Sequence, residues 1–316
     1  MWWVWFGFLL FVFICLGIDL FVFNKEDHTI SVKEAGKQTS VWVLTALFFS
    51  VVVWWLFREG WVENPTNLMP RDAFLDYLTG YLVELSLSVD NLFVIAVIFT
   101  SFKIPEKYRH RVLFWGILGA MFFRALMIFF GVSLIHKFDW IIYVFGAFLL
   151  YTAYGMLRHN DQMDPKNSWV YKQLKKFLPI TDEIRGHDFF IHKAEKRYAT
   201  PLFVALVVIE VTDVMFAFDS IPAILAITQD EFIAFSSNIM AILGLRSMFF
   251  LMVGVLEKFK YINYSLAFIL GFVGLKMLFD HYIEIPSWAS LLVILLGLGG
   301  GIVASLALQP EEKKGE

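Results

Sequence analysis

The sequence predicts an all-α membrane protein of nine transmembrane helices, including an inverted 3+3 helix repeat formed by spans three to five and six to eight. Three observations carry that prediction. Of 316 residues, 59% are hydrophobic and 17% charged, against about 45–50% and about 25% in soluble domains. Apolar runs of about 20 residues, the length that crosses a bilayer, recur along the chain. Two of those runs carry the same acidic motif, Glu84-Leu-Ser-Leu-Ser-Val-Asp90-Asn91 and Asp213-Val-Met-Phe-Ala-Phe-Asp219-Ser220. An acid at the centre of a span costs about 2.5–3.5 kcal/mol even on the lenient insertion scale.

The first span, 2–23, has no basic n-region and no small-residue cleavage site, so it reads as uncleaved. Its tryptophans suit an interfacial belt. The only cysteine, Cys15, lies in it, which rules out a disulfide or a cysteine metal site within one chain. Span two is 41–57, and the long acid-bearing spans are three, 73–101, and six, 201–228. Spans four, five, seven, eight and nine are 112–135, 140–157, 238–256, 261–279 and 287–308. Near span ends, Asp19 reads as structural, Lys276 as snorkelling to the interface, and Asn238 as the cap that opens span seven. Polar segment 159–200 holds an amphipathic stretch in which Trp169, Val170, Leu174, Phe177 and Leu178 alternate with Lys172, Lys175 and Lys176. That pattern suits a helix lying on the anionic inner leaflet. His187, Asp188 and His192 follow it as a weaker metal candidate.

Charge sets the orientation. The side carrying segments 24–40, 102–111, 158–200, 257–260 and the C-terminus holds 20 of the 26 Lys and Arg, and the opposite side holds three. The positive-inside rule then puts the N-terminus outside and the C-terminus in the cytoplasm. The net charge of −3 gives no footprint for nucleic acid.

The repeat extends past the acids. Lys137-Phe-Asp-Trp-Ile-Ile-Tyr-Val-Phe-Gly146 matches Lys258-Phe-Lys-Tyr-Ile-Asn-Tyr-Ser-Leu-Ala267 at an offset of 121, and the acids match at 129. Arg124 and Arg246 occupy like places, each after a Leu-Gly pair. Three spans is an odd number, so consecutive copies must sit upside down relative to each other. Secondary transporters built this way hold their substrate at the midplane between copies. The organisation is two peripheral helices (1–72), a first repeat (73–158), a cytoplasmic loop (159–200), a second repeat (201–280), and a ninth helix with its tail (281–316).

Six residues along an ideal helix turn about 600°, which leaves each acid pair about 120° apart. Ile221-Pro222 is expected to break span six just after Asp219, bring Asp219 toward Asp213, and free main-chain carbonyls. Glu210, one turn before Asp213, adds a fifth carboxylate. Candidate metal residues are therefore Glu84, Asp90, Asn91, Glu210, Asp213, Asp219 and Ser220, with Arg124, Arg246 and Pro222 structural or gating. Five acids and two arginines carry −3 when ionised. A divalent ion lowers that to −1, and a proton can cancel the remainder, which points to exchange of metal for protons. The spans offer oxygen donors and no histidine, which suits Mg²⁺, Ca²⁺ or Mn²⁺ rather than Zn²⁺ or Cu⁺.

The two acidic motifs, with Pro222-Ala223, Ala241-Ile-Leu-Gly-Leu-Arg246 and Phe138-Asp-Trp-Ile-Ile-Tyr-Val-Phe-Gly146, resemble the TerC family of integral membrane proteins, in particular its alkali-inducible bacterial members. The likeness runs from about Gly17 to the ninth span and shows no departure at the acids. It implies a bacterial inner-membrane protein, not an enzyme, with Mn²⁺ as exported ion, no fixed cofactor, and the seven residues above as metal or proton sites. An acid-lined path should repel the tellurite oxyanion with which the family's name is associated. Competing readings are a Ca²⁺ or proton transporter of the same fold, and a non-transporting membrane partner that helps metallate exported proteins. Besides the ion and the lipid bilayer, no partner is legible.

Overall fold

The computed structural model describes residues 2–19, 31–65, 67–138, 140–158, 165, 168–193, 196–253, 262–279, 282 and 285–307; the Asp90 side chain lies outside the described set, although its backbone is part of a helix. The protein is mostly helical: α1 (Trp2–Ile18), α2 (Val32–Arg58), α3 (Pro70–Ser101), α4 (Glu106–Lys137), α5 (Ile141–Arg158), α6 (Trp169–Phe177), α7 (Pro201–Leu225), α8 (Glu231–Leu243), α9 (Leu245–Val253), α10 (Ile262–Phe279) and α11 (Ser287–Ala307). A short antiparallel hairpin, β1 (Phe190–Lys193) and β2 (Lys196–Ala199), precedes α7. Among the described residues, α2, α4, α7 and α11 contain stretches long and apolar enough to cross a membrane, and α8 with α9 forms another across a 43° bend. Three shorter apolar helices lie at Trp2–Ile18, Ile141–Leu157 and Tyr264–Phe279.

Helix starts are where sequence and structure differ most. α2 begins nine residues before the predicted span, because Ser31 accepts a hydrogen bond from the Glu34 N–H in an Ser-x-x-Glu start. Hydropathy is blind to that polar first turn. α8 begins at Glu231, capped by Asp230, whose Oδ1 accepts from the Ile233 N–H at 2.9 Å. Asn238 is therefore not a cap; it lies in the middle of α8 and is fully buried. Pro222 does not break its helix, which runs on to Leu225. The missing Pro222 N–H costs the helix one bond, to the Phe218 carbonyl, and three further residues continue past it. The break falls instead at Gly244, between α8 and α9.

Three helix pairs form the body of the bundle: α5 against α10, α4 against α7, and α3 against α8. The α5–α10 contact is close because glycines face each other. A Cβ on Gly146 would sit 3.1 Å from the Gly274 carbonyl oxygen, and one on Gly274 would sit 3.0 Å from that of Gly146. Small residues at such crossings let backbones approach inside a membrane. Gly146 is near the start of α5 and Gly274 near the end of α10, so the pair is antiparallel. α2 packs on α3 and α9, and α1 packs on α8 through Trp5 and Phe8 against Phe232 and Phe235.

The amphipathic stretch is helical, as its pattern indicates. Ser168 caps α6 by accepting from the Tyr171 N–H, and Val170, Tyr171 and Leu174 lean on the protein. Trp169, Lys172, Lys175, Lys176 and Phe177 face outward.

Candidate functional site

Arg124 on α4 ties the first acids of the two motifs together. Its side chain is completely buried. Nε and Nη2 donate to Asp213 Oδ2 and Oδ1 on α7 at 3.2 and 2.9 Å, and Nη1 is ion-paired with Glu84 on α3. Glu84 also accepts from Asn238 Nδ2 at 2.9 Å. The guanidinium fork suits this task because it keeps its charge when buried and meets a carboxylate with two parallel donors. The repeat-related Arg246 takes a different partner. Its Nη2 lies 2.6 Å from Asp19 Oδ2 and 2.7 Å from the Asp19 carbonyl oxygen. Asp19 is only 3% exposed, so it serves as a buried counter-ion fixing α1 on α9 rather than meeting water.

Asp219 points elsewhere. With α7 intact, the six-residue spacing turns it away from Asp213, and Thr152 Oγ1 on α5 donates to Asp219 Oδ1 at 2.9 Å. The expected approach of Asp219 to Asp213 therefore does not occur, because it required the helix to unwind. Asp219, Asn91, Ser220 and Thr152 line a cavity of about 150 Å³ together with Leu87, Met156, Phe216 and Leu270. Ser220 Oγ is buried and has no hydrogen-bond partner among the described residues. The cavity thus combines a carboxylate, an amide and two hydroxyls. Every one offers oxygen, which hard divalent cations prefer.

Glu210 occupies a third position. Its carboxylate lies directly over Gly119 of α4, where any Cβ would overlap it. Glu210 Oε2 is buried without a partner among the described residues. Gly119→Ala is expected to push this carboxylate out of its seat. Because the displaced atoms end a rotatable side chain, the melting temperature should change little, which thermal unfolding of the variant beside the parent checks.

The seven predicted metal residues are therefore distributed over distinct places, with the Asp90 side chain outside the described set. Among the described residues no three carboxylate, imidazole or thiol groups gather closely enough to hold one ion. Pro222 borders a separate apolar cavity with Phe218 and Ile221. His187, Asp188 and His192 do not form a ligand group either: His187 packs on Tyr108, and His192 is an exposed strand residue opposite Arg197. Lys276 is 8% exposed and lies within electrostatic reach of Asp76, so it does not snorkel as expected. Thr152 and Gly119 are site residues that spacing does not mark. A threonine or glycine in an apolar helix is ordinary until a neighbouring helix brings an acid to it.

Residues 69–313 match the family described as Integral membrane protein TerC family. An uncharacterized membrane protein of Myxococcus xanthus is 45% identical over 96% of this chain and 92% of its own length. A membrane protein of Rickettsia bellii is 41% identical over 96% of each chain. Alx of Escherichia coli strain K12, named as a candidate membrane-bound redox modulator, is 43% identical over 92% of this chain and 90% of its own. No solved structure matches. A family match across most of the chain, and relatives above two-fifths identity that span nearly all of it, establish that this multi-pass protein belongs to the TerC family of integral membrane proteins.

Proposed function

We propose that this chain exports divalent manganese from the cytoplasm in exchange for protons, with Asp219, Asn91, Ser220 and Thr152 as the cation's resting place and Asp90 as a further ligand. One observation carries the reading: a cavity between helices of the two predicted repeats, headed by a carboxylate, whose four polar lining residues each offer an oxygen. Glu84 and Asp213, neutralised in part by Arg124, keep the neighbouring field negative by one charge. Glu210 provides a carboxylate free of any counter-ion in the described structure. Manganese itself is chosen by the family resemblance; the donor set is equally suited to Ca²⁺ or Mg²⁺.

The architecture proposed is nine spans, α8 and α9 together forming the seventh, with an inverted repeat in which α3, α4 and α5 correspond to α7, α8–α9 and α10. The helix pairings support it. Exchanging the copies leaves α5–α10 unchanged and converts α4–α7 into the observed contacts of α3 with α8 and α9. That is the pattern a pseudo-twofold axis in the membrane plane would generate. Location in the bacterial inner membrane with the N-terminus outside rests on the charge asymmetry. The name of the Escherichia coli relative raises a redox role, but a dithiol couple within one chain needs two cysteines and this chain has one, buried in α1.

The deciding experiment is manganese flux in sealed vesicles containing only this protein, with and without a pH gradient and with competing Ca²⁺ and Mg²⁺. Flux driven by the gradient is expected, and a preference for manganese over the two competitors is expected from the family resemblance alone, since the donor set suits all three ions. Absence of flux would favour the non-transporting partner, and block by Ca²⁺ would reassign the cargo.

A further inference from the structure

Four helix ends meet at Asp76, away from the cavity of Asp219. Asp76 lies in the second turn of α3 and is 4% exposed. Ser287, the first residue of α11, is hydrogen-bonded to it. Lys276 near the end of α10, Asp72 one turn earlier on α3, and Asp230 at the cap of α8 all lie within electrostatic reach. Lys276 and Asp230 are themselves 8% and 4% exposed. Asp76 Oδ1 is buried with no hydrogen-bond partner among the described residues. A buried carboxylate oxygen without a donor is an unmet acceptor, and a proton is the smallest group that meets it. Burial pushes the neighbouring Asp230 carboxyl up to about 6, so this end of the molecule is able to hold protons in mild acid.

One turn deeper, the helices seal. A Cβ on Gly80 would lie 2.9 Å from Ser237 Oγ and 3.0 Å from Ile224 Cδ1, so α3, α7 and α8 touch there without a gap. The next turn brings Glu84 to Asn238 and Arg124. The charged cluster therefore caps a packed layer that stands between it and the inner carboxylates.

The cluster has no counterpart in the other repeat. At the offset of the acidic motif Asp76 corresponds to Ala205, and at the offset of the later stretch Lys276 corresponds to Gly155. A transporter with inverted repeats exposes its site to each side in turn. The charges buried at this end must be hydrated or neutralised before it opens.

We propose that Asp76, surrounded by Lys276, Ser287, Asp72 and Asp230, is a proton-binding site at the extracytoplasmic end, and that a proton arriving there releases the seal at Gly80. It rests on the orientation and alternating-access reading given above. The step is balanced: hydronium from the outer solution gives its proton to Asp76 Oδ1 and leaves as water. Lys276 stays an ammonium and loses one of its counter-charges, so it gains by moving toward water. Opening of the outer end is thereby tied to acid on the side to which the cation is released, as exchange against protons requires.

Thiol accessibility tests this without any metal. In a Cys15→Ser background, Ser237→Cys sits in the sealed layer, and Ala234→Cys, one turn nearer the cap, is a second reporter should the first not fold. Intact cells are treated with a membrane-impermeant maleimide, and each rate is divided by that of the SDS-denatured protein at the same pH. Labelling is expected to rise about tenfold as external pH falls from about 8 to about 5.5, a modest population shift. With Asp76→Asn it should be fast at both pH values, and Asp76→Glu should restore the dependence. A parent rate that ignores pH, or an Asp76→Asn rate that still follows it, overturns the proposal. Both outcomes are independent of whether manganese moves, so failure of the cargo reading is seen separately in the flux assay.

Discussion

Asp219→Asn, in protein that inserts and folds as the parent does, is expected to lower manganese efflux by more than about a hundredfold, because changes one shell further out already cost about 10–100-fold. The substitution keeps shape and removes the charge. It also turns an oxygen that accepts from Thr152 into an amide that has hydrogens of its own. The other polar residues of the cavity, Asn91, Ser220 and Thr152, are neutral and cannot replace the lost charge. Thr152→Val provides a graded companion. It leaves the carboxylate and removes only the hydrogen bond that orients it, so a loss of about 10–100-fold in affinity is expected. Asp90→Asn, the repeat-related change, should match Asp219→Asn if the two copies share one ion. Efflux from vesicles together with calorimetric Mn²⁺ titration separates lost binding from lost movement. Undiminished efflux in Asp219→Asn would remove this cavity from the transport path.

Removal of the buried guanidinium is the second large effect. Arg124→Met is expected to destabilise the folded protein by about 3–5 kcal/mol, the cost of leaving buried charges without their partner. Two carboxylates, Glu84 and Asp213, depend on that one side chain, and neither has a second arginine or lysine paired with it in the described structure. Arg124→Lys should recover only part of the loss, since an ammonium is a single point of charge and cannot meet two carboxylates through a planar fork. The triple change Arg124→Met, Glu84→Gln, Asp213→Asn should be closer to the parent than Arg124→Met alone, because the acids then no longer need a counter-ion. Unfolding in detergent, followed by denaturant or heat, measures the series. A single variant as stable as the parent would mean that Glu84 and Asp213 find their compensation elsewhere.

The two predictions act on different layers. Asp219 meets the proposed cargo, whereas Arg124 holds α3, α4 and α7 in the arrangement that leaves Asp219 free of a counter-ion. Had Arg124 reached Asp219 instead, a cation would have to displace a guanidinium before binding. The pairing of Arg246 with Asp19 has the same consequence: a residue outside the repeats takes up the second arginine.

The sequence by itself determined that this chain is a helical membrane protein, where its apolar helices fall, and which acids lie within them. Those are matters of composition, period and spacing, and a bilayer enforces them on any chain of this makeup. It also carried the family, because the motifs around Asp90 and Asp219 are long enough to be specific. Only the tertiary structure decided which acid faces which neighbour. Pro222 is a strong local breaker, yet it falls in the last turn of α7 and the helix absorbs it, while Gly244, an ordinary residue in sequence, marks the bend. Asn238 reads as a cap in one dimension and becomes a donor to Glu84 across two helices. Thr152 and Gly119 acquire meaning only when α5 and α4 bring them to Asp219 and Glu210. The physical reason is common to all of them. Helical period fixes the direction of a side chain about its own axis, but the partner it meets depends on how helices are rotated and paired, and that is set by the sum of contacts along their whole length.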